Sequence, residues 1–206
     1  MSDINKSETL LAQIKRGTFH TIILAFPDMQ GRWMGKRMTA RHFAQTAAEH
    51  GTHACAYLLT VDMEMDPVPG YSLTSWTKGY QDFTLAPDYG TWRALPWQPG
   101  TAFVVCDAVD DQHHPVKVAP RRVLKDQVIR AREFGCSLKM ASELEFYLFR
   151  ETYESASKKN WTGLEHGGTY IEDYHILQGT RVEPVVGEIR NQMEAAGVPV
   201  ECSKGE

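Results

Sequence analysis

The sequence predicts an α+β fold in two parts. Three observations lead there. In the first half, strand-like runs are interrupted by one helical run, which suits a small mixed sheet rather than regular strand–helix–strand units. After the polar stretch "DDQHHPVKVAP" the pattern changes to helix, strand, helix. The composition, 206 residues with 42% hydrophobic and 10% aromatic side chains, is that of an ordinary globular protein long enough for one large domain or two small ones. The expected division is residues 1–112 and 113–206.

Residues 7–16 read as a short helix, with Leu10, Leu11 and Ile14 on one side and Gly17 as the stop. Thr18 to Phe26 read as a strand. In "PDMQGRWMGKRM", Pro27, Asp28 and Gly31 supply turn chemistry between two strand-like arms, a hairpin. Thr39 is placed to cap a helix from Ala40 to His50, ended by Gly51. "ACAYLLTVD" and "TAFVVCDAV" read as further strands. Between them, Met63 to Pro99 reads as a long connection without strong periodicity. Its aromatic residues (Tyr71, Trp76, Tyr80, Phe83, Trp92, Trp97) favour an ordered, functional segment.

Beyond the boundary, Pro120 suits the first turn of a helix whose inward stripe is Leu124, Val128, Ala131 and Phe134, closed by Gly135. "KMASELEFYLF" then reads as a strand. A polar, glycine-rich stretch from Thr152 to Gly179 follows. "EPVVGEIRNQMEAAG" reads as a second helix with Val185, Ile189, Met193 and Ala196 inward, and "VPVECSKGE" as the start of another strand.

The glutamate strand poses the functional question. Side chains alternate faces along a strand, so Leu138, Met140, Ser142, Leu144, Phe146 and Leu148 form an apolar core face, while Glu143 and Glu145 share the other, about 6.6 Å apart. Two carboxylates that close in a half-buried cavity push each other toward protonation unless a cation intervenes. Hard divalent ions such as Mg²⁺ or Mn²⁺ prefer carboxylate oxygens. The alternative is a solvent-facing strand with two ordinary surface glutamates; the spacing permits a metal site without requiring one.

Other features exclude or mislead. A net charge of −4 with no block of Lys or Arg argues against a nucleic-acid or anionic-membrane surface. No apolar run approaches roughly 18 residues, so no membrane span is expected. The polar start lacks a hydrophobic signal core, which favours the cytoplasm. Cys55, Cys106, Cys136 and Cys202 are far apart and read as small packing residues. His113 and His114 read as a solvated turn and His166 as a loop residue. "GRWMGKR" falls one residue short of a phosphate loop and lacks the Ser or Thr after the lysine, so it reads as hairpin.

Taken together, "SELEFYLF", "PDMQGRWMGKRM", "GYQDFTLAPD" leading to "FVVCDAVD", "APRRVLKDQV" and "AAGVPVECSKGE" resemble, in collinear order over roughly residues 10 to 206, the succession of motifs of the glutamine synthetase superfamily. The resemblance implies a small N-terminal β-grasp-like domain followed by the start of an α/β catalytic domain. It implies an ATP-dependent ligase that phosphorylates the γ-carboxylate of glutamate and lets ammonia or an amine displace the phosphate, with two or more Mg²⁺ or Mn²⁺ ions. By position in the motifs, Glu145 and Glu206 look like ligands of the metal on the amino-acid side. Glu143 looks like a ligand of the metal on the ATP side, and Glu201 and Tyr174 like nucleotide-side residues. Asp82 looks like the aspartate offered to the ammonium or amine of a neighbouring subunit's site in a homo-oligomer of stacked rings.

Two departures stand out. A companion aspartate motif is replaced by "DMEMDPVPGYS", where Asp62 or Asp66 could substitute or could simply form turns; this leaves the acceptor open between ammonia and a larger amine. Lys204 stands where histidines often precede the ligand glutamate. The family's remaining ligands and its basic clamp would lie beyond Glu206, so the chain reads as the N-terminal portion of a longer enzyme, with a non-catalytic structural or regulatory relative as the alternative. On this reading the 206-residue chain alone shows no turnover: phosphate release from ATP, with Mg²⁺, glutamate and an amine present, stays at background.

Overall fold

The computed structural model describes residues 3–75, 77 and 79–206; Trp76 lies outside them. The chain forms two compact units, Met1–Leu138 and Lys139–Glu206. The first is built on a six-stranded sheet: β1 (Thr21–Pro27), β2 (Trp33–Thr39), β3 (Thr52–Cys55), β4 (Asp82–Pro87), β5 (Arg93–Ala94) and β6 (Thr101–Val109). The order is β2-β1-β6-β4-β3, with β5 pairing β6. β1 and β2 form the expected antiparallel hairpin, and β1 lies parallel to β6. This is the expected α+β, β-grasp-like arrangement.

Local chemistry explains the elements. Gly35 of β2 sits where a Cβ would fall on the Leu24 carbonyl oxygen, so glycine alone lets the two arms close here. Thr39 caps the following helix by accepting the His42 amide at 3.2 Å. That helical run, α2, spans 40–50 with a π turn at Phe43–Ala47 and ends at Gly51 in a positive-φ conformation. Ala40, Phe43 and Ala47 face the core, which also takes Leu10 from α1 (Asp3–Lys15), Ile22, Leu24 and Phe26 from β1, Leu85 and Val104.

Two sequence expectations about the strands of this unit are corrected. "ACAYLLTVD" is a strand only to Cys55 and then turns as a 3-10 helix over Ala56–Leu59. The long connection 63–99 is interrupted by β4 and β5, and its Phe83 and Trp92 pack on the core cluster. β4 escapes notice because Phe83, Thr84 and Leu85 are buried in succession, so apolar and polar residues do not alternate along it.

Three loops repeat one geometry. At Asp28, Asp62 and Asp110 a carboxylate oxygen accepts the amides two and four residues on, at 2.8–3.0 Å. In each, the aspartate amide donates to the carbonyl four residues ahead. The residue three along (Gly31, Met65, His113) takes a positive φ of 81°, 71° and 61°. Aspartate favours this because its short side chain mimics a backbone acceptor. His113 and His114 thus belong to a turn, as expected. The first loop is tied to the second: the Arg32 guanidinium donates to Asp28 Oδ2 at 2.6 Å and to the carbonyls of Met63 and Asp62 at 2.9 and 3.0 Å, and Gln30 Nε2 donates to the Val61 carbonyl.

The helix α3 (Pro120–Glu133) belongs to the first unit. It is attached by charge. Arg121 bridges Asp88 and Asp107 at 2.5 Å each, and Lys125 bonds Asp107 at 2.6 Å. Burial opposes ionisation of Asp88, yet the hydrogen bond from Arg121 leaves its carboxyl below the usual range. The inward stripe expected on α3 is a correction: Leu124 and Phe134 are exposed, and none of the helix's residues is fully buried.

The second unit holds α4 (Tyr153–Lys158) and α5 (Ile176–Ala195). α4 lies in the stretch expected to be irregular. It is started by a reciprocal cap in which Thr152 and Ser155 accept each other's backbone amides. α5 begins seven residues before the expected Glu183 and carries Pro184 within it. Of its expected inward residues only Ala196, at the cap, is fully buried, while Val185 and Ile189 are exposed. Glu151 fastens the unit by accepting from Ser155, Lys159 and the Glu165 amide; with Lys159 foremost, these partners hold its carboxyl at about 2.

Asp28 generates a prediction. Its side chain is fully buried against a partly exposed Arg32, so Asp28→Ala leaves that cation without its carboxylate and the Gln30 and Arg32 amides without their acceptor. The expected loss is about 3 kcal/mol in urea unfolding. Burial pushes the carboxyl up, but the Arg32 bonds prevail and its pKa lies below the ordinary value. A depressed folded-state pKa means that this contribution is complete above about pH 4 and fades as pH falls through the folded-state value. The gap between wild type and Asp28→Ala therefore narrows in acid.

Candidate functional site

The two glutamates at the centre of the sequence reading do not sit in a strand. Residues 139–147 form no β-ladder and make no backbone hydrogen bond to another described residue. Glu143 and Glu145 are exposed, and so is the side expected to face a core: Met140 is 86% and Leu144 85% accessible. The reason is physical. Alternating apolar and polar residues make a segment ready to join a sheet, but a ladder needs a neighbour to supply the other half of each hydrogen bond. Only the end of the segment finds one. Gly167 donates to the Leu148 carbonyl and Arg150 to that of Glu165, both at 2.8 Å, and the Phe149 ring lies 5.4 Å from that of His166.

"VPVECSKGE" also forms no ladder, yet it is fixed in place. The Val200 amide bonds a Glu194 carboxylate oxygen at 2.6 Å, and Arg190, paired with Glu183, bonds Ser203 Oγ at 2.5 Å. The Tyr174 amide donates to the Gly205 carbonyl at 3.0 Å. Gly205 makes this approach feasible, since a Cβ there would stand 2.6 Å from the Glu172 carbonyl oxygen.

The consequence is a small cluster. Lys204 Nζ lies 3.1 Å from the Glu206 carboxylate and 4.6 Å from the centroid of the Tyr174 ring. The Glu206 hydrogen bond, with smaller help from Tyr174 and Asp173, holds the Lys204 ammonium above the usual lysine range. Tyr174 itself adopts a φ of 52°. The fold thus brings together two expected site residues, Tyr174 and Glu206, around a lysine that sequence reasoning noted only as a departure. The signal was present: in extended chain, residues 204 and 206 share a side, and the glycine between them removes the obstacle. Glu201 is exposed on the same tail.

In the first unit, Asp82 opens β4, opposite Cys55 of β3, with its side chain exposed. Asp62 is a turn former whose Oδ1 is taken by the Glu64 and Asp66 amides, whereas Asp66 offers its side chain to solvent. "GRWMGKR" is hairpin, as expected. Cys106 is buried, and burial pushes its thiol up to about 12, so it is a packing residue. Cys136 and Cys202 correct the packing expectation, since both are exposed.

The donor chemistry of Glu143, Glu145 and Glu206 suits a hard divalent cation. Their geometry does not form a site: among the described residues no three His, Cys, Asp or Glu side chains are grouped to hold a metal ion. No helix among them is long and apolar enough to cross a membrane.

Comparison with known proteins adds a second line of argument. The profile of the glutamine synthetase catalytic domain matches residues 117–206. The chain is 46% identical to the gamma-glutamylethanolamide synthetase of Streptomyces coelicolor, over 97% of this chain and 43% of that protein. It is 32% identical to the glutamate–isopropylamine ligase of a Pseudomonas species, over 100% of this chain and 45% of that protein. A solved structure of GmaS with ADP shares the fold, with a TM-score of 0.63 at 19% identity, over 91% of this chain and 39% of that one. The chain thus spans less than half the length of these relatives.

The tail contact yields a prediction. Gly205→Ala forces the 204–206 segment off Glu172 and breaks the Tyr174 amide bond. Hydrogen exchange at the Tyr174 amide is expected to speed up by about tenfold, while exchange in the β6 ladder stays unchanged.

Proposed function

Since the chain belongs to the glutamine synthetase superfamily, we propose that it serves an ATP-dependent ligase that joins glutamate, through its γ-carboxylate, to an amine. A γ-carboxylate oxygen attacks the terminal phosphorus of ATP, and ADP leaves. The amine nitrogen then attacks the acyl carbon of γ-glutamyl phosphate, inorganic phosphate departs, and the nitrogen gives up a proton. Asp82 is the carboxylate assigned to the amine: it draws in the protonated form and accepts the proton whose loss frees the nitrogen lone pair for attack, while the second proton, given up after attack, passes to the departing phosphate or to water. Glu201 and Tyr174 are assigned to the nucleotide. Glu143, Glu145 and Glu206 are the carboxylates assigned to Mg²⁺ or Mn²⁺, ions that when bound neutralise phosphate charge. The catalytic part is placed from about residue 113, close to where the family profile begins. A cytoplasmic homo-oligomer of stacked rings completes the reading.

The observation that carries this proposal is the 46% identity to a gamma-glutamylethanolamide synthetase along nearly the whole chain. A substituted amine is favoured over ammonia. The two relatives named above are an ethanolamide synthetase and an isopropylamine ligase, and in the loop that departs from the family motif Asp62 spends its Oδ1 on turn amides.

The test uses the protein expressed from its complete gene, assayed for phosphate release with glutamate and a panel of ammonia, ethanolamine, isopropylamine and aniline. Turnover that depends on glutamate and is fastest with a substituted alkyl amine is expected. Asp82→Asn should lower kcat/KM for the amine by roughly 10²-fold while leaving the KM for ATP near wild type. No turnover with any amine would overturn the proposal in favour of a structural or regulatory role.

A further inference from the structure

Asp82 shares its face of the sheet with a small neighbour. In the β3–β4 register Cys55 stands directly opposite it. The next pair along, Ala54 with Phe83, is in the core at 7% and 3% accessible, so alternation turns Cys55 and Asp82 together to the other face. Residues opposite each other in an antiparallel pair carry their Cβ atoms about 4.5–5.5 Å apart. The pairing runs on past the two strands. The Ala56 amide donates to the Gln81 carbonyl at 2.7 Å, and one step further the rings of Tyr57 and Tyr80 meet edge to face, centroids 5.9 Å apart. The Cys55 thiol lies 3.9 Å from the Tyr80 carbonyl oxygen. Asp82 is exposed, whereas Cys55, Tyr57 and Tyr80 are half-buried. The carboxylate thus has a small thiol across from it and an aromatic pair beyond.

Those neighbours bear on which cation fits. Ammonium carries four N–H donors and is held best among acceptors on several sides. A primary alkylammonium carries three, and puts a carbon group where the fourth would be. A second acid across from Asp82 would offer that fourth donor an acceptor, and would be desolvated by a carbon group set against it. Cysteine behaves as a small apolar residue with a weak hydrogen-bonding demand, so it tolerates the carbon group and leaves it room. We infer that Cys55 sets amine specificity: placed opposite Asp82, it receives the carbon substituent of a primary alkyl amine, with the Tyr57–Tyr80 pair as the outer wall. The inference rests on the reading of Asp82 as the amine carboxylate. Discrimination here comes as much from what position 55 withholds from ammonium as from what it gives an alkyl group.

The test uses the protein expressed from its complete gene and compares kcat/KM for isopropylamine with kcat/KM for ammonia. Cys55→Asp supplies the missing acceptor, and the ratio of isopropylamine to ammonia is expected to fall by about tenfold or more. Cys55→Leu fills the space without adding charge; kcat/KM for isopropylamine should drop about tenfold, with ammonia within about threefold of wild type. Cys55→Ser, close in size, should keep the ratio near wild type. A merely structural role would lower both amines in equal proportion. If that is seen, or if the ratio stays at the wild-type value in Cys55→Asp and Cys55→Leu while Asp82→Asn impairs amine use, the role of Cys55 is wrong and the assignment of Asp82 stands. Where one of the two variants does not fold, the other decides alone. If Asp82→Asn uses both amines as wild type does, the assignment of Asp82 fails and the inference falls with it.

Discussion

β6 is bonded along both of its edges, and the first unit depends on that. Its first half lies between β1 and β5, and its second half pairs β4. Without it, the β1–β2 hairpin and the β4–β3 pair have no common neighbour, and neither two-stranded piece is stable in water by itself. The same strand carries Ala102, Val104, Cys106 and Ala108 into the core, and from its other face Asp107 receives Arg121 and Lys125 of α3. One nine-residue element therefore supplies hydrogen bonds, apolar burial and the charge anchor for the next helix.

Loop aspartates do for the connections what β6 does for the sheet. Each of the three replaces missing ladder partners with a carboxylate oxygen, so a reversal of the chain leaves no amide stranded. Asp28 differs from the others in being fully buried, and it tolerates burial because Arg32 neutralises it. Arg32 then spends its remaining donors on carbonyls of the second loop. The stretch around Asp62 is consequently backed by the hairpin, although the two lie some thirty residues apart in sequence.

Local chemistry was legible in the sequence, and partnership was not. Thr39 and Gly51 mark the ends of α2 because capping needs only residues within one turn. "TAFVVCDAV" reads as the strand it is, and Gly31 marks the hairpin turn. The misses share a cause. β4 is a strand because β3 and β6 flank it, not because of its own six residues. "KMASELEFYLF" has better strand character than β4 and forms no ladder, because among the described residues only its last two, Leu148 and Phe149, meet a neighbour. α3 shows an apolar stripe, but salt bridges on another side decide which face it turns to the sheet. Of the expected site residues, Tyr174 and Glu206 are brought together by a glycine whose value lies in the side chain it lacks.

The placement of the carboxylates then follows from their cost. Glu143 and Glu145 stand in water, where a charged carboxylate is fully solvated and carries no penalty. Drawing them onto one side of a strand beside a third carboxylate would concentrate negative charge in a space that water leaves, and residues 139–147 set one cation, Lys139, against two glutamates. At Glu206 the chain does provide an offset, in the form of Lys204. Gathering carboxylates and neutralising them are therefore coupled, and where this chain does hold one of them in place the neutralising charge is a lysine's.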